Sequence, residues 1–139
     1  YLERVKENID NFDYASQTLS KYIDGNKKVI FITDNDNDGS VSQAIINQLV
    51  KTLPKDKQQN MLVEYARNVG GNNTRGFSYE LVEELATNIG LGKNDDFLIV
   101  TADNGVNSRQ EQIKINQYYP NATLLVTDHH NPEPDMMIV

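Results

Sequence analysis

A run of four β-branched or aromatic residues at 29–32 leads directly into Asp34, Asp36 and Asp38, three carboxylates at alternate positions. A continuous apolar run of this length is typical of a strand that is buried on both faces of a sheet. Carboxylates this close raise one another's pKa unless a positive group lies among them. Oxygen ligands suit hard divalent cations such as Mg²⁺, Mn²⁺ or Ca²⁺, so this segment predicts a metal site at the end of a buried strand.

Two more apolar runs, at 97–100 and 124–126, are also followed within a few residues by side chains that bind metals. These side chains are Asp103 after the first run, and Asp128, His129 and His130 after the second. Segments with helical periodicity separate the runs, which predicts an α/β domain with a mostly parallel sheet of about five strands and helices on both faces. Because parallel strands place their carboxyl ends along one edge, we expect the acidic segments to meet there.

The spacing of apolar residues also predicts the individual elements. We expect helices over residues 2–23, 40–53, 78–89 and 107–119, and strands over residues 28–33, 61–66, 97–100 and 124–126, with 136–139 as the start of a fifth. Gly25 is the expected left-handed residue at the end of the first helix. In the second helix, the side chains expected to face the sheet are Val41, Ala44, Ile45, Leu49 and Leu53, and a polar turn is expected at 55–60. In the third helix Ser78 is the expected N-cap, and the side chains expected to face inward are Tyr79, Leu81, Val82, Leu85 and Ala86.

Composition places limits on the class of protein. A length of 139 residues fits a single domain over 1–139, and the end of the chain in an apolar run predicts a piece of a longer protein. The absence of cysteine excludes disulfides and thiolate metal sites, and it fits a cytoplasmic protein. No apolar run approaches the ~20 residues of a membrane span, so no membrane partner is expected. The net charge of −7 argues against a nucleic-acid partner when taken alone, although bound metal ions would offset part of it.

The first acidic segment also resembles an EF-hand calcium loop, with Asp at loop positions 1, 3 and 5 and Gly39 at position 6. Position 12, where a bidentate Glu belongs, is Ile45, and the preceding element is a predicted strand rather than a helix. The loop therefore cannot complete an EF-hand site by itself. A purely structural turn that caps a helix from Ser40 stays open as an alternative.

The remaining polar segments have structural alternatives as well. The triplet at 103–105, Asp-Asn-Gly, is ordinary turn chemistry, and the segment at 128–130 is also compatible with a surface turn. Arg75 lies in a loop rich in Gly and Asn, which suits either a phosphate clamp or a solvated connection. Arg67 is a second candidate anion contact or an edge residue, and Phe77 is the aromatic residue that we consider for base stacking.

Three motifs together resemble the DHH phosphoesterase superfamily. They are V-I-F-I-T-D-N-D-N-D-G at 29–39, V-T-A-D-N-G-V at 100–106 and L-V-T-D-H-H at 125–130. The RecJ-like nuclease branch looks closest, because its first motif is Asp-x-Asp-x-Asp-Gly, whereas the branches that cleave short substrates have a His that falls on Ile32 here. The segment at 75–78 resembles a RecJ loop, and Asn131-Pro132 departs from the commoner continuation of the third motif. The family's fourth motif and its carboxy-terminal DHHA1-type domain are absent from the sequence up to residue 139.

The resemblance implies a metal-dependent phosphodiesterase, most closely a single-stranded-DNA exonuclease that degrades from 5′ to 3′ with two Mn²⁺ or Mg²⁺ ions. The metal ligands it implies are Asp34, Asp36, Asp38, Asp103 and His129. Asp103 would bridge the ions, and Asp34 would bind a metal directly or orient a ligand. The resemblance also implies that Asp128 supports a histidine, that His130 binds a phosphate oxygen, and that Arg75 and Gly76 contact the substrate.

The expected partners are single-stranded DNA or short RNA, with a single-strand-binding protein as a further partner. Two alternatives stay open at this point. The first is a relative in the same superfamily that acts on short substrates, as an oligoribonuclease, cyclic-dinucleotide phosphodiesterase or pyrophosphatase. The second is a non-catalytic metal-binding module or replication scaffold with the same fold.

Overall fold

The chain folds into four strands and five helices within the part that the structure describes. The computed structural model describes residues 14–34, 37–67, 77–102, 104–105, 107–128, 134–135 and 138, with Asn37 and Asp38 described by their backbone alone. The strands are β1 (Val29–Thr33), β2 (Met61–Tyr65), β3 (Leu98–Ala102) and β4 (Thr123–Thr127). The helices are α1 (residues 14–24), α2 (Asn37–Lys51), α3 (Lys55–Gln58), α4 (Tyr79–Asn88) and α5 (Arg109–Tyr118).

The four strands form one sheet in the order β2-β1-β3-β4, and all three strand pairs are parallel. The predicted α/β class with a parallel sheet is therefore confirmed, with four strands in the described part of the chain rather than about five. The expected fifth strand at 136–139 falls almost wholly outside the described residues, and Ile138 has no regular structure. Among the helices that the structure describes, none has the length and apolar character to cross a membrane.

Strand β1 is buried on both faces, as its unbroken apolar run predicts. Val29 and Phe31 pack in one cluster with side chains of α1 and α2. Ile30 and Ile32, which point to the opposite face, pack with side chains of α4 and α5. This alternation with a period of two places helices on both faces of the sheet.

Asn26, and not Gly25, is the left-handed residue that ends α1, with a φ of 55°. The Lys27 N–H donates to the Tyr22 carbonyl at 3.0 Å, and the Asn26 N–H donates to the Ile23 carbonyl at 3.2 Å. These two hydrogen bonds form a Schellman motif, in which the left-handed residue lies one position after the helix end. The prediction for Gly25 is wrong by one position, because Asn also tolerates the left-handed region.

Helix α2 differs most from its prediction. Four of the five side chains expected to face the sheet are exposed instead: Val41, Ala44, Ile45 and Leu49. Ile46 and Val50 pack against the sheet in their place, and Leu53 is half-buried. The helix is therefore rotated by about one residue, or roughly 100°, from the predicted orientation.

The boundaries of α2 also differ from the prediction of 40–53. The helix begins at Asn37, so Ser40 lies inside its first turns and is not its cap. It ends at Lys51, and Pro54 then serves as the N-cap of the short helix α3, which was expected to be a polar turn. Proline suits this position because it has no N–H to leave unsatisfied at the start of a helix.

Helix α4 follows its prediction closely. The Ser78 hydroxyl accepts a hydrogen bond from the Leu81 N–H at 3.1 Å, which confirms Ser78 as the N-cap. The buried side chains are those predicted to face inward: Tyr79, Leu81, Val82, Leu85 and Ala86. Gly90, with a φ of 78°, then reverses the chain towards β3.

Candidate functional site

The three acidic segments follow neighbouring strands at the same level of the sheet. Thr33 of β1 pairs with Ala102 of β3, and Ala102 pairs with Thr127 of β4. The next residue along the chain is Asp34 after β1, Asp103 after β3 and Asp128 after β4. Neighbouring strands lie about 5 Å apart, so the three segments leave the sheet side by side at its carboxyl edge.

The edge between β1 and β3 is also where the chain changes direction. From β1 the chain passes to β2 on one side of the sheet, and it returns to β3 and β4 on the other side. Ligands of open α/β sheets bind in the crevice that such a reversal creates at the carboxyl ends of the strands. Asp34, whose N–H donates to the Ala102 carbonyl at 3.3 Å, begins one wall of this crevice.

Gly39 allows the first acidic segment to fold back tightly from β1 into α2. A Cβ atom at Gly39 would overlap the carbonyl group of Asp34 and would lie 2.9 Å from its Cα atom. Any other residue at this position would push the start of α2 away from the end of β1. The contact therefore sets the position of α2, and it explains in physical terms why the segment contains a glycine after its third aspartate.

The start of α2 contributes a favourable field to the same segment. The helix has 15 residues and begins at Asn37, within the acidic segment. The amino-terminal end of a helix attracts negative charge, because its free N–H groups point outwards there. This field offsets part of the repulsion among the aspartates whether or not an ion is bound.

A layer of uncharged polar side chains lies directly beneath the three acidic segments. The Thr101 hydroxyl donates to the Asn104 carbonyl at 2.8 Å, and the Thr127 hydroxyl donates to the Thr101 carbonyl at 2.6 Å. The Gln43 amide of α2 lies 3.4 Å from the Thr33 hydroxyl. We call these five residues the polar layer. Its hydrogen bonds connect the ends of the strands and tie α2 to β1.

Asn104 is the central residue of the polar layer and is only 3% exposed. Its side-chain amide donates to the Ile32 carbonyl of β1 at 3.1 Å and to the Ala102 carbonyl of β3 at 2.9 Å. Its side-chain oxygen Oδ1 is buried and has no hydrogen-bond partner among the described residues. Asn104 is thus a buried link between the ends of β1 and β3, which distinguishes it from a residue of a solvated surface turn.

Gly105 continues this tightly packed turn with a φ of 102°. A Cβ atom there would lie 3.0 Å from the Thr101 hydroxyl oxygen and 3.2 Å from Cε1 of Phe77. Phe77 itself is fully buried beneath the turn. The suggestion that Phe77 stacks on a base is therefore wrong, because its ring supports the turn from inside the core.

Arg67 is an edge residue that pairs with carboxylates of the protein itself. Its guanidinium forms an ion pair with Glu84 of α4, and a second with Glu64 of β2 at 3.4 Å. Exposed pairs of this kind contribute little to stability. Both ion pairs engage the guanidinium, so the structure supports the interpretation of Arg67 as an edge residue rather than as an anion contact.

Two of the predicted site side chains lie within the described part of the chain. Asp34 and Asp128 are half-buried at the ends of β1 and β4. Asp38 lies in the first turn of α2 with its backbone alone described. The other predicted site residues lie outside the described residues: Asp36, Arg75, Gly76, Asp103, His129 and His130.

The donor set at this edge fits a hard divalent cation. The described side chains include no group of three or more His, Asp or Glu able to hold an ion, and most of the predicted ligands lie outside them. The ends of β1 and β4 place the carboxylates of Asp34 and Asp128 along one edge, and the buried amide oxygen of Asn104 lies next to the end of β3. Oxygen donors of this kind suit Mg²⁺ and Mn²⁺, and the imidazoles predicted for the same site would favour Mn²⁺ over Ca²⁺.

Sequence reasoning identified the aspartates and histidines but missed the polar layer. A signal was present, since each acidic segment has a threonine one or two positions before its aspartate, at Thr33, Thr101 and Thr127. Asn104 was missed because Asp-Asn-Gly is common in turns of every kind. Gln43 gives no signal by itself, because it is one polar residue among several in α2.

Comparison with known proteins adds no relative. The sequence matches no protein-family model, and no curated protein is significantly similar to it.

Proposed function

We propose that the chain is the catalytic domain of a metal-dependent phosphodiesterase, and specifically a RecJ-like exonuclease for single-stranded DNA in the cytoplasm. The observation that supports this proposal most directly is the row of paired residues Thr33, Ala102 and Thr127 at the carboxyl edge. This row is followed on three adjacent strands by the three motifs that resemble the DHH phosphoesterases. All four strands end on this row, and the support for the proposal is that an aspartate follows it directly on β1, β3 and β4, at the point where the sheet reverses direction.

In this proposal the metal ligands come from all three segments. Asp34, Asp36 and Asp38 would bind from the β1 segment, Asp103 from the β3 segment and His129 from the β4 segment. When bound, two Mn²⁺ or Mg²⁺ ions supply a water of lowered pKa and offset the charge of the phosphate. The close approach of Gly39 to the Asp34 backbone holds the start of α2 against the end of β1, from which the first set of carboxylates would bind.

The remaining predicted residues have roles in binding and orientation. Asp128 would accept a hydrogen bond from a histidine and so fix the orientation of its ring. His130 would donate to a phosphate oxygen and stabilise the charge that develops during attack. Arg75, next to Gly76, would bind a neighbouring phosphate of the strand. With a net charge of −7, we expect the strand to bind through such local contacts rather than through the overall field of the domain.

The proposal is tested by a substrate panel in the presence and absence of Mn²⁺. The protein is incubated with end-labelled single-stranded DNA, duplex DNA, short RNA and pyrophosphate. We expect release of mononucleotides from single-stranded DNA alone, from the 5′ end, and only with the metal. Turnover of short RNA or pyrophosphate instead would support the relatives that cleave short substrates, and Mn²⁺ binding without any turnover would support a non-catalytic module.

A matched pair of variants tests the metal assignment. Asp103→Asn removes one carboxylate at the edge of the sheet, and Asp56→Asn removes one from the exposed surface of α3 with the same change in net charge. We expect Asp103→Asn to lower turnover by more than about 100-fold, since loss of even a supporting group of a metal ligand costs 10- to 100-fold. Asp56→Asn should keep the activity of the wild type, and survival of activity in Asp103→Asn would contradict the metal assignment.

A further inference from the structure

The side chain of Asn104 adds hydrogen bonds to both β1 and β3 at the end of their paired region. The paired region of these strands ends at Thr33 and Ala102. The chain after β3 then turns away, with Gly105 in the left-handed region at a φ of 102°. The Asn104 amide nevertheless donates to carbonyls of both strands, at 3.1 Å to Ile32 and at 2.9 Å to Ala102. One planar side chain therefore joins the ends of both strands, in addition to the backbone hydrogen bond from the Asp34 N–H to the Ala102 carbonyl.

The described residues on both sides of position 103 are held by hydrogen bonds and close packing. The Thr101 hydroxyl donates to the Asn104 carbonyl at 2.8 Å and so joins β3 to Asn104. After it, Gly105 packs so closely against Phe77 and Thr101 that even a Cβ atom would be crowded. In the sequence, Asp103 lies between Ala102 and Asn104. These two neighbours are joined by a hydrogen bond from the Asn104 amide to the Ala102 carbonyl.

We propose that Asn104 is a positioning residue, which fixes the separation between the Asp34–Asp38 segment and Asp103 by spanning the gap between β1 and β3. This inference rests on the proposed function, because it assigns those two segments to one metal centre. An amide suits the task because it supplies two N–H donors without adding a charge among carboxylates. Asn104→Asp keeps the shape of the side chain but points a carboxylate oxygen at two carbonyl oxygens.

The test compares three substitutions of Asn104 with a control at the opposite edge of the sheet. Asn104→Ala removes both N–H donors, and Asn104→Asp replaces the donating amide with an accepting carboxylate. Asn104→Ser keeps one small donor. The control is Asn121→Ala, because the Asn121 amide also donates to a backbone carbonyl, that of Asn94 at 2.8 Å, just before β4 begins. Mn²⁺ affinity and stoichiometry are measured by calorimetry, kcat and KM on single-stranded DNA by kinetics, and folding by thermal denaturation.

We expect the Asn104 variants that fold to bind Mn²⁺ at least 10-fold more weakly, in the order Asp, Ala and Ser from the largest loss to the smallest. We expect kcat to fall while KM for DNA stays within about threefold, because the residue positions metal ligands and does not contact the strand. Asn121→Ala should keep the Mn²⁺ affinity of the wild type. If Asn104→Ala and Asn104→Asp do not fold, the Mn²⁺ affinity of Asn104→Ser still tests the positioning role.

The outcomes separate this inference from the proposed function. Folded Asn104 variants with unchanged Mn²⁺ affinity would overturn the positioning role, even if the wild type degrades DNA. A wild type that binds Mn²⁺ but degrades nothing would overturn the nuclease, while weaker binding by the variants would still support the positioning role. A wild type without any affinity for Mn²⁺ would overturn both.

Discussion

Helices α2 and α4 carry apolar residues at similar helical spacing, yet they bury them in opposite ways. In α4 the predicted inward face is buried, and Leu85 is 2% exposed. In α2 the predicted inward face points to solvent, and Val41, Ile45 and Leu49 are 60%, 64% and 48% exposed. The hydrophobic effect sets the rotation of α4, whereas the contact between Gly39 and Asp34 sets the position of α2. The apolar pattern therefore predicts the buried face of α4 and not that of α2, whose first turn is in backbone contact with the end of β1.

The largest expected effect comes from the matched pair Leu85→Ala and Leu49→Ala. Leu85 lies in the larger core cluster, so its truncation should lower the free energy of unfolding by about 3 kcal/mol. Leu49 is half exposed, and its truncation should cost less than about 1 kcal/mol. Both values are measured by urea denaturation followed by circular dichroism. Equal costs for the two variants would contradict the difference between the helices.

Gly39→Ala tests whether the start of α2 sets the position of that helix. Because the added Cβ atom would overlap the backbone of Asp34, we expect a loss of about 1–3 kcal/mol in the free energy of unfolding and weaker Mn²⁺ binding. The control is Gly92→Ala, whose Cβ atom would lie at an ordinary 3.6 Å from the Asp95 carboxylate. A Gly39→Ala protein with the stability and Mn²⁺ affinity of the wild type would show that the contact is not required.

Tyr22→Phe examines how α1, which shares a sheet face with α2, is attached to the sheet. The Tyr22 hydroxyl donates to the Asp96 carboxylate at 2.6 Å and lies 2.7 Å from the Thr123 hydroxyl. Loss of these hydrogen bonds should cost about 1 kcal/mol in chemical denaturation. Tyr14→Phe is the matched control, since Tyr14 is 64% exposed, and it should cost almost nothing. The same cost in both variants would show that the buried hydroxyl does not anchor α1.

The stability of the α4 face should depend on pH through Tyr79. Burial, with a further contribution from the Glu83 carboxylate, raises the pKa of Tyr79 from 10.0 to about 12. Between these pH values the unfolded chain loses the Tyr79 proton while the folded chain keeps it, so stability is present below pH 10 and falls as the pH rises towards 12. Tyr79→Phe should make this decline shallower in denaturation curves at pH 9 to 12, and an unchanged slope would contradict the assignment. Part of the decline should remain, because burial also raises the pKa of Tyr22 and Tyr119.

The smallest expected effect belongs to Ile45→Gln, paired with Ile46→Gln at the next position of α2. Ile45 is 64% exposed, so its substitution should change the free energy of unfolding by no more than about 0.5 kcal/mol. Ile46 packs against the sheet cluster, and the same substitution there should cost about 1–2 kcal/mol. The reverse order would mean that α2 has the orientation that its apolar pattern predicts.

The fold was predictable because the apolar runs of its strands and the helical spacing of its helices are both clear in the sequence. The apolar runs at 29–32 and 97–100 identify strands buried on both faces, and the segments between them have helical spacing. Both features follow from local geometry and burial, and they place the acidic segments on one edge of a parallel sheet. The rotation of α2 was not predictable in this way, because apolar residues occur on both sides of the helix and the sequence does not show that Ile46 and Val50 are the ones that pack against the sheet.

The site was predictable at the level of its acidic segments and not at the level of its supporting residues. Aspartates that follow buried strands are unusual enough to indicate chemistry, and their common register follows from the parallel sheet. The hydrogen bonds of Asn104 reach carbonyls of two strands, and one of these, Ile32, is 72 residues away in the sequence. Sequence patterns describe neighbours along the chain, so a hydrogen bond of this kind leaves no local signal.

The order of the strands determines which parts of the candidate site stay folded during local unfolding. Strands β1 and β3 are the two interior strands, and each is hydrogen-bonded to a neighbour on both sides. Amide protons of such strands exchange with solvent only in the rarest openings, whereas helix ends and edge strands open far more often. The segments that begin at Asp34 and Asp103 are thus joined to the slowest-exchanging part of the molecule. Fluctuations that release the edge strand β4 leave the ends of β1 and β3 in place.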